Sequence, residues 1–306
     1  MAIPDYQTLM RPLLAQLADG QPRSLAQLRQ GLVEHFQLTN AEQSEQFSSG
    51  RPVLRNRAGW ARTYLHKAGL MSIPAKGQCL ITERGQQALR ECPDKIENRY
   101  LKQYEEFVAF IKRRKPEGDS DANVSSENDN DSDTTPIDRI DVAYKELNSA
   151  LAYDLLTTLK EGSPNFFEKV VVDLMLAMGY GGSRKDAGQA TQATNDDGID
   201  GIIKEDKLGL DVIYLQAKRW QNIVQRPELD KFIGSLTRQR ARKGVFITTS
   251  SFSAGALEAV TGLDIKMVLI DGPQLAELMI EHNLGVARKE IYELKQIDSD
   301  YFNEDE

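Results

Sequence analysis

Twenty residues, EGDSDANVSSENDNDSDTTP from Glu117 to Pro136, constrain this chain more than any other stretch, because they hold almost nothing that a core can bury. Such a segment cannot offset its ordering entropy with apolar contacts, so it predicts a disordered tether and makes the 306 residues fold as two bodies. A chain of that length exceeds one ordinary core and favours the same division. The tether also concentrates charge. Residues 117 to 138 hold eight acids with no Lys or Arg, and the last ten residues add Asp298, Asp300, Glu304, Asp305 and Glu306; of a whole-chain −8, the remainder therefore keeps a net +5. Mildly basic folded parts permit nucleic-acid binding. A second use of the acidic stretch, as a nucleic-acid mimic that covers those basic faces, stays open at this point. The predicted division is an amino-terminal domain over residues 1–98, a helical extension and acidic linker over 99–139, a second domain over 140–290 and an acidic tail over 291–306.

Apolar spacing of three and four predicts helices over Tyr6 to Leu17 and Leu25 to Phe36, the second capped by Ser24. A third starts near Asn56, where Trp60, Ala61, Leu65 and Ala68 form one stripe and Arg55, Arg57, Arg62 and Lys67 fall largely outside it. Leu70 to Ile73 and Gln78 to Thr82 then read as a hairpin turning at Lys76-Gly77, followed by a helix from Glu83 and another over Ile96 to Arg114. Three helices ending in a basic one, then a two-stranded wing with lysine at its tip, predict a winged helix-turn-helix with Arg55, Arg57, Arg62, Lys67 and Lys76 toward DNA.

Beyond the tether, the period predicts helix over Ile140 to Leu159 and again from Pro164, with Ser163 as its cap. A Gly-rich and polar loop with Arg184-Lys185 leads to Asp196-Asp197-Gly198-Ile199-Asp200. Gly198 to Ile203 and Asp211 to Lys218 form a predicted hairpin, and alternation puts Tyr214, Gln216 and Lys218 on one face and Leu215 and Ala217 on the other. A lysine inside an apolar strand needs a partner charge, and Asp200 on the neighbouring strand is the nearest source. Helix from Pro227 to Leu236, strand from Gly244 to Thr248, helix from Ser253, strand from Lys266 to Ile270 and helix from Pro273 complete a mixed sheet flanked by helices. The whole is an α+β, mixed α/β chain.

The order Glu168 on a helix, Gly198-Ile199-Asp200-Gly201, Gln216-Ala217-Lys218 and Gly244-Val245-Phe246-Ile247-Thr248-Thr249-Ser250 resembles the Mrr-type restriction endonucleases of the PD-(D/E)-x-K superfamily. Asn56-Arg57-Ala58-Gly59-Trp60-Ala61 resembles that family's amino-terminal domain. Gln216 stands where the superfamily's second carboxylate is expected, a departure that the Mrr type shares. The resemblance implies Mg²⁺-dependent hydrolysis of phosphodiester bonds in methylated double-stranded DNA, as a type IV host-defence restriction activity of a cytoplasmic homodimer or larger homo-oligomer. On that reading Asp200, Gln216 and Glu168 hold the metal, and Lys218 orients or deprotonates the attacking water. Arg184, Lys185, Arg219 and the hydroxyls of Thr248, Thr249 and Ser250 are candidate phosphate contacts; the same hydroxyls have a competing use as helix caps.

Several function classes are disfavoured. No apolar run approaches the roughly 18 residues of a membrane span. The start MAIPDYQTLM lacks the basic and apolar regions of a secretory signal. Cys79 and Cys92 show no metal-ligand spacing and read as reduced thiols, and no GxxxxGK[ST] loop predicts nucleotide use. Two alternatives remain: a winged-helix regulator with a non-catalytic second domain, and a nuclease that selects branched junctions.

Overall fold

The computed structural model describes residues 3–75, 77–112, 133–181, 198–206, 208 and 210–295. The predicted tether between Glu117 and Asp131, the loop bearing Arg184, Lys185, Asp196 and Asp197, the hairpin tip Lys76 and the acidic tail from 296 lie outside those residues. The chain separates into two compact units, Met1–Glu146 and Leu147–Glu306.

The first unit contains helices α1 (Tyr6–Ala15), α2 (Leu25–His35), α3 (Asn40–Gln43), α4 (Val53–Lys67), α5 (Glu83–Glu91), α6 (Asn98–Leu101) and α7 (Glu105–Lys112). Its strands β1 (Arg23–Ser24), β2 (Met71–Ser72) and β3 (Gln78–Ile81) form an antiparallel sheet in the order β1-β3-β2. The helix starts follow from their caps. Asp5 accepts hydrogen bonds from the Gln7 and Thr8 amides at 2.9 Å, and Ser24 with Gln27 and Thr39 with Glu42 form capping boxes. The stripe Leu9, Met10, Leu13 and Leu14 of α1 is fully buried with Leu28 and Leu32 of α2 and Ala58, Ala61 and Leu65 of α4. Phe107 of α7 closes this core edge-on against Tyr64, with ring centroids 5.3 Å apart.

Two expectations change here. The predicted single helix over 96–114 is broken into α6 and α7, because Tyr104 donates to the Leu101 carbonyl in a tight turn. The acids are also less uniformly exposed than the charge pattern predicts. Asp138 is 6% exposed and paired to Arg57 at 2.8 Å, and Asp133 accepts from Gln7 and approaches Lys95 at 3.7 Å. Returning these two acids to the folded portion lowers its surplus from +5 to +3. Thr135 caps a long helix, α8 (Pro136–Glu161), through a reciprocal bond with Asp138, so α8 starts earlier than the apolar period predicts.

The second unit continues from α8 with α9 (Pro164–Ala177), β4 (Gly201–Lys204), β5 (Val212–Lys218), α10 (Arg226–Arg238), β6 (Lys243–Thr248), α11 (Ala254–Ala259), β7 (Lys266–Ile270) and α12 (Gly272–Glu281). The sheet order is β4-β5-β6-β7, antiparallel in the first pair and parallel in the other two. A mixed sheet between helices is what the pattern predicts. Alternation divides its core: Leu215, Ala217, Val245 and Ile247 pack with Phe167, Val171 and Leu174 of α9, while Phe246 packs with Phe232 and Leu236 of α10. Buried on both faces, β6 is apolar from Val245 to Ile247. Among the described residues no helix is long and apolar enough to cross a membrane.

Candidate active site

The site forms where β4 begins and β5 ends. Gly201 pairs with Leu215, and the Asp200 amide donates to the Leu215 carbonyl at 2.9 Å, which carries the ladder one residue beyond β4 and sets Asp200 opposite Gln216. Gly198 makes this entry possible. Its φ of +102° is open to glycine, and a Cβ there would lie 3.3 Å from the Gln216 Oε1. One carboxylate oxygen of Asp200 accepts from the Ala217 amide at 2.8 Å and from the Gln216 side-chain Nε2. Gln216 is only 2% exposed, a polar side chain held in the interior by that acid.

Lys218 follows two residues along β5 and so shares the Gln216 face. Its strand end is pinned: the Lys218 carbonyl accepts from the Thr248 hydroxyl at 2.8 Å and from the Thr249 amide at 3.2 Å. Glu168 arrives from α9, in the first turns after the Ser163 cap, and is half-buried. Burial chiefly, and the Asp200 charge next, push its carboxyl above the usual glutamate range, while Lys218 pulls it back. Glu168 therefore lies within the fields of Asp200 and Lys218, although the three come from a helix, a strand entry and a strand end.

Two carboxylates, an amide and an amine thus lie at one end of a mixed sheet, and the comparisons with known proteins decide the family. Residues 6–91 match the Mrr N-terminal domain and residues 159–279 match the restriction endonuclease domain of the Mrr catalytic type. The chain is also 37% identical, over 99% of its own length and 100% of the relative's, to the type IV methyl-directed restriction enzyme EcoKMrr of Escherichia coli (strain K12). The chain belongs to the Mrr family of restriction endonucleases. A solved structure, the MspJI restriction endonuclease in complex with a 27-mer oligonucleotide, is similar at 21% identity over 63% of this chain and 42% of that one, but its TM-score of 0.28 is too low to bear on the fold.

As an Mrr endonuclease the chain is a DNA endonuclease, and its basic residues can be sorted by what they touch. Arg55 and Lys67 are exposed on α4, with the Lys67 Nζ 5.7 Å over the Phe110 ring. Arg62 is half-buried, and its Nε has no hydrogen-bond partner among the described residues. Arg57 is turned inward instead, bonding Asp138 at 2.8 Å and the Ile3 carbonyl. Arg219 bonds the Lys160 carbonyl and so caps the last turn of α8. Lys76, Arg184 and Lys185 lie outside the described residues. The predicted phosphate hydroxyls have internal partners: besides Thr248, Thr249 donates to the Trp220 carbonyl at 2.8 Å and Ser250 to that of Gln221 at 3.3 Å. Neither do they cap α11, whose cap is Ser253.

Two contributors had no clear signal in the sequence. Gly198 reads as an ordinary turn glycine until its contact with Gln216 is seen. Ser235, 2% exposed on α10, lies beside the same turn and would be 3.7 Å from a Gly198 Cβ; only the packing of α10 brings it there.

Proposed function

We propose that this Mrr endonuclease hydrolyses phosphodiester bonds in methylated double-stranded DNA with Mg²⁺ as its cofactor, using Asp200, Gln216, Glu168 and Lys218. The observation that carries the reading is the meeting of Asp200 and Gln216, with Glu168 half-buried in the fields of Asp200 and Lys218. Among the described residues no three His, Cys, Asp or Glu side chains gather to hold a metal ion, so the donor set is two carboxylates and one amide. That set suits Mg²⁺, a hard ion that keeps several waters and takes only one or two carboxylates. Gln216 offers its oxygen once the amide turns over, a rotation for which ordinary side-chain assignments leave both choices. The ion would lower the pKa of an attacking water and neutralise charge on the phosphate. Lys218 orients or deprotonates that water and counters the phosphate charge as it grows.

The methyl preference is taken from the function of the E. coli relative, which its name gives as methyl-directed. We assign DNA docking to residues 1–98 as a winged-helix domain, through Arg55, Arg62 and Lys67, and chemistry to residues 140–290. Cutting both strands needs two catalytic domains, hence a homodimer or larger homo-oligomer. In support, Ile140, Tyr144, Leu147 and Leu151 of α8, spaced four, three and four apart, are all exposed. A cytoplasmic setting agrees with the two free cysteines, Cys79 and Cys92.

The deciding experiment is cleavage of methylated and unmethylated plasmid with and without Mg²⁺, run beside Asp200→Ala and Lys218→Ala. Metal-dependent cutting of the methylated plasmid, lost by at least ~10³-fold in both variants with DNA binding kept, is expected. Cutting of branched junctions irrespective of methylation would favour the junction nuclease. Intact binding with no cutting of any substrate would favour the regulator.

A further inference from the structure

Helix α4 buries the stripe Leu54, Ala58, Ala61 and Leu65, and on the adjoining flank Arg55 is exposed while Gly59 and Arg62 are half-buried. Glycine is the poorest helix-interior residue after proline, so one in the middle of a fifteen-residue helix calls for a cause. None lies within the unit. A Cβ on Gly59 would meet no atom within 4 Å, and its φ is not among the positive values that favour glycine. Gly85 shows what an internal cause looks like: a Cβ there would stand 2.1 Å from the Leu70 carbonyl oxygen. The bare backbone at Gly59 is thus kept for something outside the unit.

The neighbours say what kind of thing. Arg55 lies four residues before Gly59 and Arg62 three after it, on the same flank. Arg29, half-buried on α2 beside the buried Leu28, is close enough to Arg55 to feel its charge: partial burial first, and Arg55 second, draw its pKa below the ordinary value. Among the described residues none of the three guanidinium groups has a carboxylate partner, and the Arg62 Nε is a buried donor with no acceptor. Three unopposed cations around a patch of bare helix fit a closely approaching polyanion.

We propose that the Arg55–Gly59–Arg62 flank of α4, together with Arg29 of α2, seats the DNA backbone, and that Gly59 is there to let a phosphate close onto the helix. This rests on the reading of the first unit as DNA-binding, and adds to it a contact residue on α2 and a position where contact depends on the absence of a side chain. A side chain at 59 would hold the phosphate off both arginines; arginine–phosphate bonds weaken steeply with added distance.

The test uses the full-length protein, duplex DNA labelled for fluorescence anisotropy, EDTA to prevent cutting and a salt series. Gly59→Ala is expected to raise the thermal midpoint, because alanine is the better helix former and has room, and yet to weaken DNA binding by about tenfold or more. Arg29→Ala is expected to weaken binding uniformly across sequences and to reduce the slope of log K against log salt by about one. Wild-type binding by Gly59→Ala, or a fall in its thermal midpoint, overturns the role given to the glycine. If Arg55→Ala and Arg62→Ala then still lose affinity, the DNA reading survives without it; if Arg29→Ala, Arg55→Ala and Arg62→Ala all bind as wild type, that reading fails as well. Unchanged DNA binding with loss of self-association, read by sedimentation, assigns the flank to a second copy of the chain and overturns the proposal.

Discussion

The two units treat charge in opposite ways. In the first, the buried acid is matched: Asp138 is bonded by Arg57 and by the Thr135 amide at 2.8 Å, and Asp5 closes a helix start, whereas the α4 flank leaves its arginines without carboxylates among the described residues. At the candidate site of the second, burial first and the Asp200 charge second raise the Glu168 carboxyl, with Lys218 as the opposing charge. Matched charges hold a fold; a crowded pair of acids costs stability that a function must justify. Where the acids are left crowded is therefore where the chemistry is to be sought, and the α4 flank is the same lesson with the sign reversed.

Three measurements would break or sharpen this contrast. The largest effect is expected from Gly198→Ala. It forces a side chain into a backbone conformation that costs roughly 1–2 kcal/mol and presses on Gln216, so cleavage of plasmid should fall about 100-fold with the fold retained by circular dichroism. Cleavage within threefold of wild type would mean that the turn does not aim Asp200. The second is Arg57→Ala, which leaves Asp138 buried with one partner fewer. Urea unfolding should show a loss of about 2 kcal/mol, less than for a fully buried pair because Arg57 is partly exposed, and the cleavage rate per folded molecule should not change. Loss of activity without loss of stability would move Arg57 back to the DNA contacts. The smallest concerns Glu168→Gln in metal-free protein. The carboxyl of Glu168 is raised in the fold, so the wild type is most favoured while the group is protonated and loses stability as pH rises through the raised value. The variant lacks that loss. It should be more stable than wild type at pH 8 by less than about 1 kcal/mol, and the gain should vanish near pH 4. A variant less stable than wild type at pH 8 would show that the acid is matched after all.

Much of this was legible in the order of the residues, and for a definite reason. The mixed sheet and the flanking helices were readable because helical and strand periods are written by near neighbours in the chain, and the family through the resemblance carried by Gly198–Gly201 and Gln216–Lys218. Asp200 could be set beside β5 because a short hairpin joins their strands, but among the described residues its carboxylate bonds Gln216 and the Ala217 amide and forms no ion pair with Lys218. The short strand β1 was not legible, since two residues pairing with β3 leave no period to detect. Gln216 was seen as an odd residue, but its bond to Asp200 needs the register of β4 and β5.

The sequence by itself determined the type and order of most elements and the residue types available for chemistry. Tertiary structure alone decided which charge meets which. Arg57 and Asp138 lie 81 positions apart, and Glu168 reaches the Asp200 field only when α9 packs on the sheet. Composition records that a charge exists, but whether it is matched or left exposed to a neighbour depends on distance and burial, which only the packed chain sets.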